Sequence, residues 1–495
     1  MTTILDSSHF PRGHFIEKIC DFVGESDIEV LRPSDGVVLG ATSAGTASTV
    51  DLAVRSAQQA LRATGWATCA PRERARVLRR WADLIDADPL LPQLESIGST
   101  RPIAEAMASD IPFTADTIRF FAEFADKSGG EVASTQAQNL GMTVREPLGV
   151  IAAITPWNFP LSMASWKCGP ALAAGNAVVL KPSELTPFST LRLAQLAVDA
   201  GVPPGIFSVI NGFGAEAGGA LVSHPGISKV SFTGSTRTGK AILAMTAARI
   251  KPVTLELGGK SPQLVFEKVP SMRRVIEFVS RGFTANGGQA CVAGTRLIAH
   301  RRVVNELVDG IVRTVSLLKP GLTWETSTRF SPIISAAQLS QIDAKVRASR
   351  EAGADVLCGG SSFDDETGRF FYRPTVISRV DAGMPVVQDE VFGPVLTVQT
   401  FEDEEEGLLL ADHPSYGLAA GVHTSDIGQA LRAMRRIAAG TIWINRYGRS
   451  KDLIIPTGGF KGSGVGKDLG RQAFEAAQRE KSVLMDFEDC STDEK

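Results

Sequence analysis

At 495 residues the chain is too long for one hydrophobic core, so two or three domains of roughly 100–200 residues each are expected. A formal net charge of -3 leaves no basic footprint for nucleic acid, and 43% hydrophobic residues is ordinary for a soluble globular protein. The first residues lack the apolar core of a secretory signal, and no apolar run approaches the ~20 residues that cross a bilayer, so no membrane partner is expected. Cys20, Cys69, Cys168, Cys291, Cys358 and Cys490 are scattered without a CxxC pair, which argues against a disulfide framework or zinc site and for a reducing cytoplasm. The six histidines show no metal-ligand spacing, so no metal is expected, and none is marked as the base of a cysteine hydrolase.

In chain order, the stretch to about Gly45 reads as irregular and rich in turn formers. A helix is predicted from Ser48, where Ser48 and Asp51 have capping-box-like spacing and Leu52, Ala60 and Leu61 share a side. A second helix over 72–87 carries Val77, Leu78, Trp81, Leu84 and Ile85 on one face, and a third covers 113–125. From Val150 short apolar runs at 150–154, 177–180, 207–210, 229–232 and 253–257 alternate with helical segments. Such β-α-β alternation predicts a mostly parallel sheet with helices on both faces, whose ligands bind at the carboxyl ends of the strands. A second alternation begins at 262–266 and runs to about Lys461, with a strand at 441–445, so two α/β domains with a cleft between them are expected. The acidic run 402–406 reads as a solvated helix start, and the tail 488–495 as frayed.

Chemistry-bearing residues gather at those strand ends. Cys291 lies in FTANGGQACVAGTR, between a helix ending near Phe283 and a strand at Arg296; a nucleophile and a buried inert cysteine are both compatible with it. Two glycine patterns, Gly212 to Ala217 and Gly234 to Gly239, could each present backbone N–H groups to a diphosphate. Glu184 can accept from the hydroxyls of an adenosine ribose and would repel a 2′-phosphate, favouring NAD over NADP, while Lys181 leaves that choice open. Both could equally be a solvated pair. Glu256 closes an apolar strand, where desolvation suits a general base and backbone donors could instead tie it up. Asn158, between Trp157 and Phe159, suits an oxyanion donor or a turn.

Seven motifs in order, PWNFP at 156–160, KPSE at 181–184, FTGST at 232–236, ELGGKSP at 256–262, GGQACVAGTR at 287–296, EVFGPV at 390–395 and GGFKGSGVGKD at 458–468, resemble the NAD(P)-dependent aldehyde dehydrogenase superfamily. The resemblance implies a Rossmann-type cofactor domain (1–128 and 148–257), an α/β catalytic domain (258–465) and a small β oligomerisation domain (129–147 and 466–495). That last part would pair a hairpin near 129–145 with a strand near 482–487, giving a homodimer or homotetramer. By the same resemblance Cys291 is the nucleophile, Asn158 and the Cys291 N–H form the oxyanion hole, and Glu256 activates water. Glu390 would hold the nicotinamide ribose beside Phe392, Lys181 and Glu184 the adenine ribose, and Gly234, Ser235 and Gly239 the diphosphate, which makes the Gly212 pattern a decoy. Trp157, Ser183 and Leu257 complete the implied cofactor set.

The implied reaction oxidises an aldehyde to the acid with NAD, or NADP, through a cysteine thiohemiacetal and a thioester. A closer likeness over 144–181 and 212–240 is to dehydrogenases of γ-glutamyl-γ-aminobutyraldehyde and other ω-amino aldehydes. Phe159, Met163 and Trp166 would wall the substrate tunnel, with Arg449 and Thr457 at its mouth. The basic run 446–451, Thr457 in place of the usual Phe, Gly98 in place of an acid, and an atypical strand pair near 15–23 depart from the pattern. A wider, polar entrance for a longer or anionic aldehyde is the expectation. A CoA-acylating enzyme shares the fold, but Glu256 argues against it, and a silent aldehyde-binding or structural protein would not need the full catalytic set.

Overall fold

The computed structural model describes residues 5, 9–22, 25–363, 370–448 and 452–487. Five runs of small and β-branched residues build the first sheet: β1 (Val150–Ile154), β2 (Ala177–Lys181), β3 (Phe207–Val209), β4 (Lys229–Thr233) and β5 (Val253–Glu256). Nearly every position of these strands is buried, the signature of strands covered on both faces. They run parallel in the order β3-β2-β1-β4-β5, so their carboxyl ends share one edge.

Helices cover this sheet. α1 (Ala47–Thr64), α2 (Pro71–Ala87), α3 (Ile111–Phe124), α4 (Pro160–Ala173), α5 (Phe188–Asp199) and α6 (Thr236–Ala247) lie near the predicted places. α1 starts two residues early: Thr46, not Ser48, is its cap, exchanging hydrogen bonds with Thr49 in a reciprocal box. The chain is pinned just ahead of that cap, where the Gly45 N–H donates to the Asn211 carbonyl at 3.1 Å. α4 is buried along its whole length and packs on α3, in keeping with its mostly apolar sequence.

The N-terminal stretch is more ordered than its sequence suggests. His14–Phe15 and Ile19–Cys20 extend the first sheet as an antiparallel edge beyond β3, and Asp27–Leu31 pairs with Val38–Ser43. The strand pair expected near 15–23 is therefore present, as two strands of two residues each. Buried His14 locks it: Nδ1 accepts the Asn211 N–H at 3.0 Å and Nε2 lies 2.7 Å from Glu25 Oε2.

The second sheet repeats the plan with β6 (Pro262–Val265), β7 (Arg296–His300), β8 (Thr375–Ser378), β9 (Val395–Phe401), β10 (Ala419–His423) and β11 (Thr441–Ile444). These are parallel in the order β8-β9-β7-β6-β10-β11, and Asp355–Cys358 adds an antiparallel edge beside β8. α7 (Met272–Thr284) leads towards β7 and buries Val275, Val279 and Phe283. A third sheet pairs Asn139–Pro147 with Gln478–Asp486 over their full length and adds Val132–Ala133. Leu453, Leu469 and Phe474 return to the core of the first sheet. Among the described residues no helix is long and apolar enough to cross a membrane, and no cluster could hold a metal ion. The tail from residue 488 lies outside the described residues.

Candidate active site

The loop between α7 and β7 carries Cys291, a half-buried thiol. Asn286, Gly287 and Gly288 are all left-handed, with φ of 52°, 62° and 73°, so the chain reverses sharply after the helix. A side chain at Gly288 would collide with the carbonyl of Gly393, so the cysteine loop and the loop after Glu390 touch backbone to backbone. Gln289 is fully buried and works as a clamp: Nε2 donates to the carbonyls of Asn286 and Pro332, each at 2.8 Å, and Oε1 accepts the Ile334 N–H at 2.9 Å. Beyond the cysteine, the Tyr447 hydroxyl donates to the Val292 carbonyl at 2.8 Å.

Asn158, just past the end of β1, joins this clamp. Its Nδ2 donates to the Gln289 carbonyl at 2.8 Å, and its own carbonyl accepts from Asn286 Nδ2 at 3.0 Å. Thr100 Oγ1 donates to Asn286 Oδ1 at 2.7 Å. A primary amide has two N–H bonds, so Asn158 keeps one for a further acceptor after satisfying Gln289.

The run after β5 reaches the same place. Glu256 is buried, and its carbonyl accepts the Gly234 N–H at 3.0 Å. A Cβ on Gly258 would strike the Glu390 carboxylate, and one on Gly259 would lie 2.6 Å from the Cys291 carbonyl. Only residues without side chains let this run pass between Glu390 and the cysteine loop. The Gly259 N–H donates to Glu390 Oε1 at 3.1 Å. Burial pushes the Glu390 carboxyl up to about 7, against the pull of that N–H and of Lys260 and Lys345. Cys291, Asn158, Glu256 and Glu390 are therefore brought together by direct contacts of their own loops.

The groups at the other strand ends form a rim. At the end of β2 the buried Lys181 Nζ lies 3.5 Å from Glu184 Oε2, and Glu184 remains 30% exposed. Burial lowers the Lys181 pKa, and Glu184 opposes that shift. Ser183 accepts the Leu185 N–H at 3.3 Å and so stabilises its turn. Ser235 caps α6 by accepting the Thr238 N–H at 3.2 Å, leaving an exposed helix N-terminus between Gly234 and Gly239. Gly239 packs so closely on Leu257 that a Cβ would overlap it. Trp157 meets Phe392 edge to face at 5.3 Å, and Phe392 is held at a left-handed φ of 55°. Gly212, the rival pattern, is filled on its Cβ side by the backbone of Gly45.

The family model for the aldehyde dehydrogenase family matches residues 22–483. The chain belongs to the aldehyde dehydrogenase family. It is 39% identical over 463 residues to the NADP/NAD-dependent aldehyde dehydrogenase PuuC of Escherichia coli (strain K12), covering 93% of this chain and 92% of that protein. It is similar to the crystal structure of gamma-glutamyl-gamma-aminobutyraldehyde dehydrogenase from Burkholderia cenocepacia J2315, with a TM-score of 0.93, 38% identity and 96% of each chain covered. An indole-3-acetaldehyde dehydrogenase crystallised with NAD+ gives a TM-score of 0.94 at 35% identity, again over 96% of each chain.

In this aldehyde dehydrogenase the residues expected to wall the substrate tunnel lie on and just before α4. Phe159 is half-buried beneath the Arg101 guanidinium, 4.6 Å from its ring centre, and Met163 and Trp166 are buried. Thr457 is buried and exchanges two backbone hydrogen bonds with Asp468. Arg449 lies outside the described residues, and Tyr447, from the same basic run, turns inward against Gly282, Gly294 and Gly421. One pair escaped the sequence reading: Lys167 Nζ lies 3.0 Å from Asp468 Oδ2, both buried. The signal was present, because a lysine in the apolar helix SWKCGP needs a buried partner. The pair braces the Thr457-Gly458 turn, where a Cβ on Gly458 would lie 2.8 Å from Glu256 Oε1.

Proposed function

We propose that this enzyme oxidises a polar aldehyde, of the ω-amino or anionic class, to its carboxylic acid through a thioester on Cys291. The observation that supports the reading is the two-way hydrogen bonding of Asn158 to the Cys291 loop, which leaves its second amide N–H for a further acceptor. In its thiolate form Cys291 adds to the carbonyl carbon. The oxygen that becomes an anion receives hydrogen bonds from Asn158 Nδ2 and the Cys291 N–H. When bound, NAD+ or NADP+ supplies the hydride acceptor that turns this adduct into a thioester. Glu256 takes a proton from water, the resulting hydroxide attacks the thioester, and the same two donors hold the second oxyanion until the Cys291 sulfur leaves.

The residues present suit a nicotinamide dinucleotide. Glu184 offers an acceptor for the adenine ribose, the N-terminus of α6 suits a diphosphate, and Glu390 lies at the cysteine side for the second ribose. Glu184 favours NAD, and Lys181 beside it leaves room for NADP, in keeping with the E. coli relative's name. The polar substrate class is supported by the likeness to the B. cenocepacia gamma-glutamyl-gamma-aminobutyraldehyde dehydrogenase and by the basic run 446–451. A homodimer or homotetramer is supported by exposed Val132 and Leu484 on the third sheet and Phe487 just past its end, and a cytoplasmic setting by scattered cysteines.

The test is NADH formation over an aldehyde panel with native protein and Cys291→Ala. Activity on an ω-amino aldehyde or succinic semialdehyde, lost in the variant, supports the reading. A strong preference for a plain aliphatic aldehyde of similar length rejects the substrate class, and turnover by Cys291→Ala rejects the mechanism.

A further inference from the structure

Asn286 opens the cysteine loop, buried and at a left-handed φ of 52°. Its Nδ2 donates to the Asn158 carbonyl at 3.0 Å and to the Gln289 carbonyl at 3.4 Å. Carbonyl oxygens only accept, so this amide cannot be turned over, and its Oδ1 must face away from them. A buried oxygen in that position needs a donor. Thr100 Oγ1, itself fully buried, supplies one at 2.7 Å.

Thr100 lies just past the short helix Leu91–Ile97, in a run that holds both catalytic loops. Glu95 Oε1 accepts the Leu161 N–H at 3.2 Å, at the start of α4 and shortly after Asn158. The Arg101 guanidinium, fixed by Asp110 at 2.7 Å, lies over the ring of Phe159, the residue that follows Asn158. Ser96 Oγ and the Ile103 N–H both donate to the Thr323 carbonyl, each at 2.7 Å, and tie down the two ends of the run. Glu95 and Arg101 thus hold the turn that carries Asn158, while Thr100 holds the loop that carries Cys291. Asn158 Nδ2 closes the circuit on the Gln289 carbonyl at 2.8 Å.

We propose that Thr100 is a positioning residue for the aldehyde oxidation: by fixing the Asn286 amide it sets Asn158 where the developing oxyanion requires a donor. The assignment rests on the oxyanion role given to Asn158 above. Without the hydroxyl, Asn286 Oδ1 is a buried acceptor with no donor. The amide relieves this by turning, which takes Nδ2 away from the Asn158 carbonyl. Groups around a reacting atom tolerate little displacement, a shift of about 1 Å costing about 10²-fold in rate.

A double-mutant cycle on the full chain tests this, with kcat counted per NAD+-binding site. Thr100→Val keeps the shape and removes the donor, and should lower kcat about 10- to 10²-fold with the KM for NAD+ unchanged. Thr100→Ser, which restores the hydroxyl, should recover most of the loss. In an Asn158→Ala background Thr100→Val should cost almost nothing more, because the group it positions is gone. Native kcat in Thr100→Val, a full-sized loss in the Asn158→Ala background, or no recovery in Thr100→Ser overturns the assignment. Should Thr100→Val not fold, Thr100→Ala takes its place with the same expectations; if neither folds, the hydroxyl is structural and the assignment fails. Asn158→Ala with native kcat overturns the oxyanion reading and this one together, whereas an impaired Asn158→Ala beside a native Thr100→Val overturns this one alone.

Discussion

The loop from β4 into α6 belongs to the first sheet and the loop from α7 into β7 to the second, and they are built differently. The first, Thr233 to Gly239, is held by its cap: Ser235 takes one N–H, and the exposed helix start is left for a ligand. The second is held by side chains from three directions, Gln289 within it, Asn158 from β1 and Thr100 from the helical layer. A loop that cradles a diffusible molecule must stay open. A loop that presents a nucleophile gains from having one geometry, because reacting atoms tolerate little misplacement. Perturbing the two loops should therefore produce different kinetic signatures.

The largest effect should come from Cys291→Ala, with kcat lowered on the order of 10⁴-fold or more while Tm changes little. Asn158→Ala removes the proposed oxyanion donor and one bond to the clamp, so kcat should fall by about 10²–10³ with a smaller change in KM for the aldehyde. Gln289→Ala strands the Ile334 N–H and the Pro332 carbonyl, at about 1–3 kcal/mol for each buried group left unsatisfied, while the Asn286 carbonyl keeps the backbone N–H of residue 289. A lower Tm together with a lower kcat, and an unchanged KM for NAD+, should distinguish it from any change in the open loop.

Smaller effects should appear on the cofactor side. Glu390 titrates near 7: above that pH it is an anion able to accept from ribose hydroxyls, and below it is protonated. The KM for NAD+ should rise as pH falls through 7, and Glu390→Gln should flatten that dependence. Ser235→Ala removes a cap worth about 1 kcal/mol and should raise the KM for NAD+ a few-fold with kcat nearly unchanged. Should Ser235→Ala instead act mainly on kcat, the contrast between the loops fails.

Much of this architecture was legible because it is local. The run VIAAI at Val150–Ile154 can scarcely be anything but a central strand, and ELGGKSP, with its glycines Gly258 and Gly259, was legible as a motif. The reach of those glycines was not legible, since Gly258 meets a carboxylate 132 positions onward in the chain. Thr100 and Asn286 meet across 186 positions, and nothing in either neighbourhood marks the partner. Lys167 was a missed opportunity, because an ammonium inside an apolar helix calls for a buried carboxylate even when its position is unknown. The box at Thr46 lost out to the more conventional Ser48 because the bond from Gly45 to Asn211 that sets the helix start is non-local.

In the proposed reaction, oxidation ends in an acyl group on Cys291 that Glu256 helps to release. A single-turnover experiment with Glu256→Gln addresses it most directly, following NADH by stopped flow and the protein by mass spectrometry. One equivalent of NADH per site should appear rapidly and then stall, with the acyl mass on the peptide containing Cys291. Steady turnover at the native rate, or a burst whose adduct lies on another residue, would contradict it.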